Sequence, residues 1–147
     1  MTYKIILKSS SKHIDRVDNC LNTWLSPLDY VIITDKLTGA ANELSMSNSD
    51  GYQSNEEKTV NFINYVQEHP TEFNQDWFVF IDDDAILNSH LFESIITHLD
   101  KNFVYGYKMK GSYQKDPELD YPSGGCGYFI SPELIKKCKP MIKRGYG

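Results

Sequence analysis

Residues 77–81, Trp-Phe-Val-Phe-Ile, form an unbroken apolar run that stops on three carboxylates, Asp82, Asp83 and Asp84. An aromatic, β-branched run of that length reads as a strand covered on both faces. Such strands belong to mainly parallel sheets with helices packed on either side, so this short segment alone argues for an α/β fold. Open sheets of this kind bind ligands beyond the carboxyl ends of their strands, which is where the three carboxylates fall.

The rest of the chain alternates in the same way. Tyr3–Lys8 is a short apolar run and reads as a strand. Ser11 is placed to cap a following helix, with Asp15 in its first turn, Ile14, Val17, Leu21 and Trp24 at helical spacing, and Pro27 as the stop. Tyr30–Thr34 (YVIIT) is the second strand, ending at Asp35. Residues 36–53 are rich in Ser, Asn and Gly and read as a long loop. Ser54 and Glu57 fit a capping box for a helix with Val60, Ile63 and Val66 inward and Pro70 at its end. A helix over 89–99 turns Leu91, Phe92, Ile95, Ile96 and Leu99 to the core. A strand over 103–109, a polar loop over 110–122, a strand at Tyr128–Ile130 and a helix begun by Ser131-Pro132 complete the pattern.

At 147 residues the chain fits one domain with a core of its own. The net charge of -5 argues against nucleic acid as a partner. Cys20, Cys126 and Cys138 are odd in number and form no C-x-x-C pair, against a disulfide framework or a structural zinc site. His13, His69, His90 and His98 show no metal-ligand spacing and read as surface or helix-packing residues. No segment is apolar enough to span a membrane, and no signal-peptide pattern or N-x-S/T sequon occurs. These features lean to a cytoplasmic setting, or to the Golgi lumen if an N-terminal anchor precedes the chain.

Three adjacent carboxylates are costly to leave unpaired. In extended backbone Asp82 and Asp84 point to one side and Asp83 to the other. Two carboxylates about 5 Å apart repel by roughly 3 kcal/mol at an effective dielectric of about 20. A divalent cation removes that penalty, and oxygen ligands suit Mg²⁺ or Mn²⁺, which keep positions open for phosphate oxygens. A solvated turn with one Asp capping the next helix is the other reading. Ser123-Gly124-Gly125-Cys126-Gly127-Tyr128 places three glycines in four positions. It permits close approach of a ligand to the backbone, or positive φ in a turn or bulge. It is neither a dinucleotide fingerprint nor a P-loop.

Taken in order, these segments resemble the Fringe-like and β1,3-galactosyltransferase-like glycosyltransferases over nearly the whole chain. The pieces are Arg16 with Thr23-Trp24, then Thr34-Asp35, then Asp50, Tyr52, Lys58 and Thr59 in a D-x-Y-x-x-x-x-x-K-T spacing. The apolar strand with Asp82 to Asp84 follows, then Tyr105-Gly106 as a partial Y-x-G, and S-G-G-x-G-Y-x-x-S from Ser123 to Ser131. The resemblance implies a GT-A fold, a UDP-sugar donor, a Mn²⁺ (or Mg²⁺) ion and a glycan or protein acceptor. It makes Asp84 the main metal ligand, with Asp82 at the metal and facing the ribose or sugar, and Asp83 assisting.

Lys8 and Ser9 fall where the family holds uridine, with Asp35 a further candidate for that pocket. Gly124 and Gly125 would line the sugar and acceptor side. Arg16 and Lys58 match family positions; an exposed helix charge and a solvated first-turn residue are the plainer readings of the two. In the family, an acidic segment beyond the glycine loop and its helix supplies the catalytic base of inverting transfer. Nothing here matches it, so the fold is expected to be C-terminally short and the base stays unassigned, with Asp116, Glu118 and Asp120 unmatched. A nucleotide-sugar-binding module without turnover is therefore the alternative to an active transferase. A metal-dependent phosphoesterase is a third reading, and it lacks the further ligands it would need.

Overall fold

The computed structural model describes residues 1–51, 54–110 and 120–139. Tyr52, Asp116 and Glu118 lie outside that set, as does most of the polar stretch 110–122. Six strands form one sheet in the order β3-β2-β1-β4-β8-β5. They are β1 (Tyr3–Lys8), β2 (Tyr30–Thr34), β3 (Glu43–Ser45), β4 (Trp77–Asp82), β5 (Tyr105–Gly106) and β8 (Tyr128–Ile130). A separate two-stranded ribbon joins β6 (Lys108–Lys110) to β7 (Asp120–Pro122). Four α-helices and one π-helical turn complete the described residues; the α-helices are α1 (Ile14–Cys20), α2 (Ser54–Glu68), α3 (Ser89–Ile96) and α4 (Pro132–Lys137).

The period of two along the central strands divides the core into two layers. Ile5, Leu7, Ile32, Trp77, Val79 and Ile81 face α1 and α3, meeting Val17, Cys20, Phe92 and Ile96. Ile6, Val31, Ile33, Phe78 and Phe80 face the other way, onto Phe62 and Val66 of α2 and Ile135 of α4. The strands β1, β2, β3 and β4 run parallel, whereas β8 is antiparallel to β4 and β5. Helices thus cover both faces of a mainly parallel sheet, as expected.

Several local expectations change. His13 occupies the N-cap position of α1 without a side-chain cap bond. Ser11 instead donates its amide and hydroxyl to Asp35. Ile14 is 50 % exposed, and the buried side of this helix passes through Val17, Cys20 and Leu25. A π-helical turn, Leu21–Leu25, follows; its added residue brings Leu25 fully into the core, with Leu21 and Trp24 packed at the core's edge. In α3 the cap is Asn88, which accepts from the Leu91 amide; Leu91 and Ile95 face solvent, and only Phe92 and Ile96 are buried in the helix. The buried line of α2 is Ser54, Lys58, Phe62 and Val66, four residues apart, with Val60 and Ile63 only partly covered. Ser54 turns its hydroxyl back to the Gly51 carbonyl.

The long loop after β2 hides the edge strand β3, paired to β2 through Ile32, Ile33 and Thr34. The strand expected over 103–109 is two pieces, β5 and β6, with Phe103 exposed ahead of them. They separate at Tyr107; at Gly106, the last residue of β5, a Cβ would meet the Cβ atoms of Tyr128 at 2.9 Å and Pro122 at 3.0 Å.

Candidate functional site

The sheet order sets the position of the site. From β1 the chain moves outward through β2 and β3, then returns to place β4 on the other side of β1. The point where the direction of winding reverses therefore lies between β1 and β4, and the strand ends open there into a crevice. Lys8 and Asp82, the last residues of these two strands, are register partners. Because β8 runs antiparallel to β4, the glycine loop that precedes it arrives at the same edge.

A cleft of about 300 Å³ opens at this edge. Lys8, Ser9, Arg16, Lys58, Asp82, Asp83 and Asp84 all line it. So do Ser10, Lys12, His13, Asp50, Gly51 and Asn55. Four of these carry positive charge (Lys8, Lys12, Arg16, Lys58) and four are aspartates, so fixed charges of both signs meet in one small volume.

The three aspartates do not alternate as in a strand. The extended backbone ends at Asp82, and the Ala85 amide closes a turn on the Asp82 carbonyl at 3.2 Å. Each carboxylate then has a different environment. Asp83 is buried and accepts from the Ser9 hydroxyl at 2.7 Å and from Arg16 Nη1 at 3.5 Å. Its amide donates to the Lys8 carbonyl, and its own carbonyl accepts from Cys20 Sγ at 3.3 Å. Asp82 Oδ1 lies 3.0 Å from Lys8 Nζ, an ion contact without the alignment of a hydrogen bond, and this buried oxygen has no other partner among the described residues. Asp84 is exposed and has no hydrogen bond or ion pair among the described residues. Asp83 is thus satisfied within the protein, while Asp82 and Asp84 retain acceptor capacity.

Those two carboxylates suit a divalent cation. Among the described residues no three His, Cys, Asp or Glu side chains gather into a complete ligand set. A cation held by one or two carboxylates, with water and phosphate oxygens filling the remainder, matches that arrangement.

Lys8 links the two halves of the site. Besides approaching Asp82, its ammonium donates to the Gly124 carbonyl at 3.2 Å and lies 5.9 Å from the centre of the Tyr128 ring. Tyr128 in turn stacks on Phe80. Gly125 adjoins Asp82, and a Cβ built there would sit 3.7 Å from Oδ2. Neither Gly124 nor Gly125 adopts the left-handed conformation; Gly127 does, with φ +86°.

Lys58 is not a solvated helix charge. It is 1 % exposed, and its ammonium donates to the Ser9 carbonyl at 2.7 Å. Burial pushes its pKa down, while Asp35, Asp83, Asp50 and Glu57 pull it back toward the charged form. Arg16 is half exposed at its side chain and reaches Asp83 from α1. His13, which the sequence assigns to surface or packing, instead lines the cleft. A clue was available in Ser9-Ser10-Ser11, because small polar residues leaving a strand end let the following backbone turn across the site.

Asp35 stands outside the cleft lining. Burial alone would raise its pKa. The Ser11 amide and hydroxyl at 2.7 Å each, its own amide and the Thr34 hydroxyl outweigh burial and hold the carboxyl at about 2. A depressed carboxyl stabilises the fold above its unfolded pKa near 4 and loses that contribution as the pH falls through about 2. We therefore expect Asp35→Asn to lower stability at neutral pH by up to about 2 kcal/mol and to flatten the acid limb between pH ~4 and ~2. Urea titrations at pH 7, 4 and 2 check this; parallel acid limbs in the two proteins would contradict it.

Compared with known families, the chain matches the family model described as Fringe-like over residues 4–146.

Proposed function

This chain belongs to the Fringe-like family, glycosyltransferases of GT-A fold, and from that premise we propose that it uses a divalent cation, Mn²⁺ or Mg²⁺, to take a sugar from a UDP-sugar donor to an acceptor hydroxyl with inversion. The observation that carries the proposal is the division of labour in the aspartate triplet. Asp83 is bonded inward, while Asp82 keeps a buried oxygen without a hydrogen bond and Asp84 has no hydrogen bond or ion pair among the described residues.

In this reading Asp84 and Asp82 would hold the cation, and the chemistry it would supply there is neutralisation of charge on a leaving diphosphate. A diphosphate carried with a divalent cation presents little net charge, in keeping with a cleft whose own charges balance four against four. Lys8 holds the Asp82 carboxylate and the Gly124 carbonyl in one place, so the triplet and the glycine loop keep a fixed separation. Gly124 and Gly125 have negative or extended φ and room for a Cβ, so the folded chain itself does not demand glycine there. Close approach of a sugar supplies a reason for both. Ser10 and Asn55 line the same cleft and offer neutral hydrogen-bonding groups, suited to a base and ribose.

The test is a thermal-shift and calorimetric panel of UDP, GDP and ADP with and without Mn²⁺. A ligand at about 100 times its Kd stabilises a protein by roughly 2.7 kcal/mol. The expected result is a shift of that order for UDP with Mn²⁺, little without it, and less for GDP and ADP. Preference for a purine nucleotide would overturn the donor assignment. Binding of UDP-sugar without transfer to any acceptor would favour a binding module over an enzyme.

A further inference from the structure

Among the described residues Lys58 is the most deeply buried charged side chain, and its place in the network sets it apart from the other cations of the cleft. A buried ammonium must be paired or hydrogen-bonded to be tolerated. Here the partner is a backbone carbonyl, that of Ser9, at 2.7 Å. The hydroxyl of that same Ser9 donates to Asp83 Oδ2, also at 2.7 Å. Two short hydrogen bonds therefore run from α2, through the end of β1, to the middle carboxylate of the triplet. Lys8, by contrast, meets Asp82 directly, and Arg16 reaches Asp83 from a half-exposed position. With 1 % of its surface accessible, Lys58 has almost nothing to present to a phosphate.

We propose that Lys58 is a positioning residue: through Ser9 it fixes Asp83, and so sets how Asp82 and Asp84 are spread toward the cation, without itself touching the donor. The inference rests on the metal-dependent nucleotide binding proposed above. Asp83 lies between the two open carboxylates in sequence, and the turn beginning at Asp82 carries all three. Loosening Asp83 therefore changes the separation of its neighbours. Removing groups that orient metal ligands from behind costs about 10–100-fold in metal affinity or activity.

Lys58→Met keeps an unbranched chain as far as the ε position and removes the ammonium and its charge. UDP affinity is measured by calorimetry for this variant with Mn²⁺ and in EDTA, beside Ser9→Ala and the double variant. The expected result is a loss of about 10–100-fold with Mn²⁺ and none in EDTA. Ser9→Ala should weaken binding in the same direction, and the double variant should be no worse than Lys58→Met, because both break one path. Equal losses with and without Mn²⁺ would make Lys58 a direct donor contact and overturn the proposal. Additive losses would overturn it too. If Lys58→Met does not fold, Ser9→Ala, which removes one hydroxyl, still carries the metal comparison.

A ligand-free readout separates this inference from the functional one. Amide exchange at Asp83 should quicken in both single variants, and unchanged exchange would overturn the relay. Failure of the wild-type protein to bind UDP with Mn²⁺ would instead remove the functional reading, and the donor-site role of Lys58 with it.

Discussion

Replacement of Asp84 by alanine is expected to abolish Mn²⁺-dependent UDP binding and to leave the fold almost untouched. The carboxylate is exposed and makes no bond to the described residues, so its loss removes no internal contact. Substitutions at such surface positions usually change stability by less than about 0.5 kcal/mol. A direct metal ligand should matter more than the groups behind it, whose loss costs about 10–100-fold, so a reduction beyond about 100-fold is expected. Asp83→Asn should behave in the opposite way. Its carboxylate accepts from Ser9 and Arg16 in a buried position, and weakening those bonds should cost about 1–3 kcal/mol of stability. Its effect on Mn²⁺-dependent affinity should be smaller than that of Asp84→Ala. Calorimetry with Mn²⁺ and urea unfolding of both variants make the comparison. Unchanged UDP affinity in Asp84→Ala would remove Asp84 from the metal site.

The contrast between Asp83 and Asp84 marks where the sequence stops being informative. That a buried strand ends in carboxylates is a local pattern, and β4 ends within one residue of the expected place. The same holds for β1, β2 and β8, and for α4, whose Ser131 accepts from the Leu134 amide as an N-cap should. Which carboxylate turns inward is not local. It depends on Ser9 and Arg16, more than sixty residues earlier in the chain, and on where the extended backbone gives way to a turn.

Helical periodicity has a similar limit. It gives the spacing of an apolar face but does not fix its phase when apolar residues also lie outside. Ile14, Leu91 and Ile95 fit the period and face solvent. In α2 the true face was disguised because two of its four buried positions, Ser54 and Lys58, are polar. A lysine in the first turns of a helix reads as solvated until the Ser9 carbonyl is brought to it by the sheet. The edge strand β3 was equally hidden, because backbone pairing on one side asks little of side chains such as Glu43 and Ser45.

The glycine loop yields the second large effect, in which two glycines two residues apart should fail in different ways. Gly127 has φ +86°, and a Cβ there would lie 3.2 Å from the Phe80 carbonyl oxygen, next to the strand that carries the triplet. A side chain in that conformation costs about 1–3 kcal/mol from backbone strain alone. Gly127→Ala should therefore lower the melting temperature and weaken UDP and UDP-sugar alike, through the population that is folded. Gly125 is under neither constraint. Its φ is ordinary for any residue, and the nearest atom to a Cβ is Asp82 Oδ2 at 3.7 Å, a normal contact distance. A valine there is expected to leave the melting temperature nearly unchanged. Its methyl groups would project into the space beside Asp82, where the donor's sugar is proposed to lie. Forcing extra methyl groups into a filled space costs about 1–3 kcal/mol, equivalent to about 10–100-fold in affinity. Gly125→Val should thus weaken UDP-sugar binding by that factor while UDP, which lacks the sugar, binds nearly as before. The measurement is the ratio of UDP-sugar to UDP dissociation constants, with Mn²⁺ present, set beside the melting temperature of each variant. An unchanged ratio together with a lowered melting temperature in Gly125→Val would assign Gly125 a folding role and move the sugar elsewhere in the cleft.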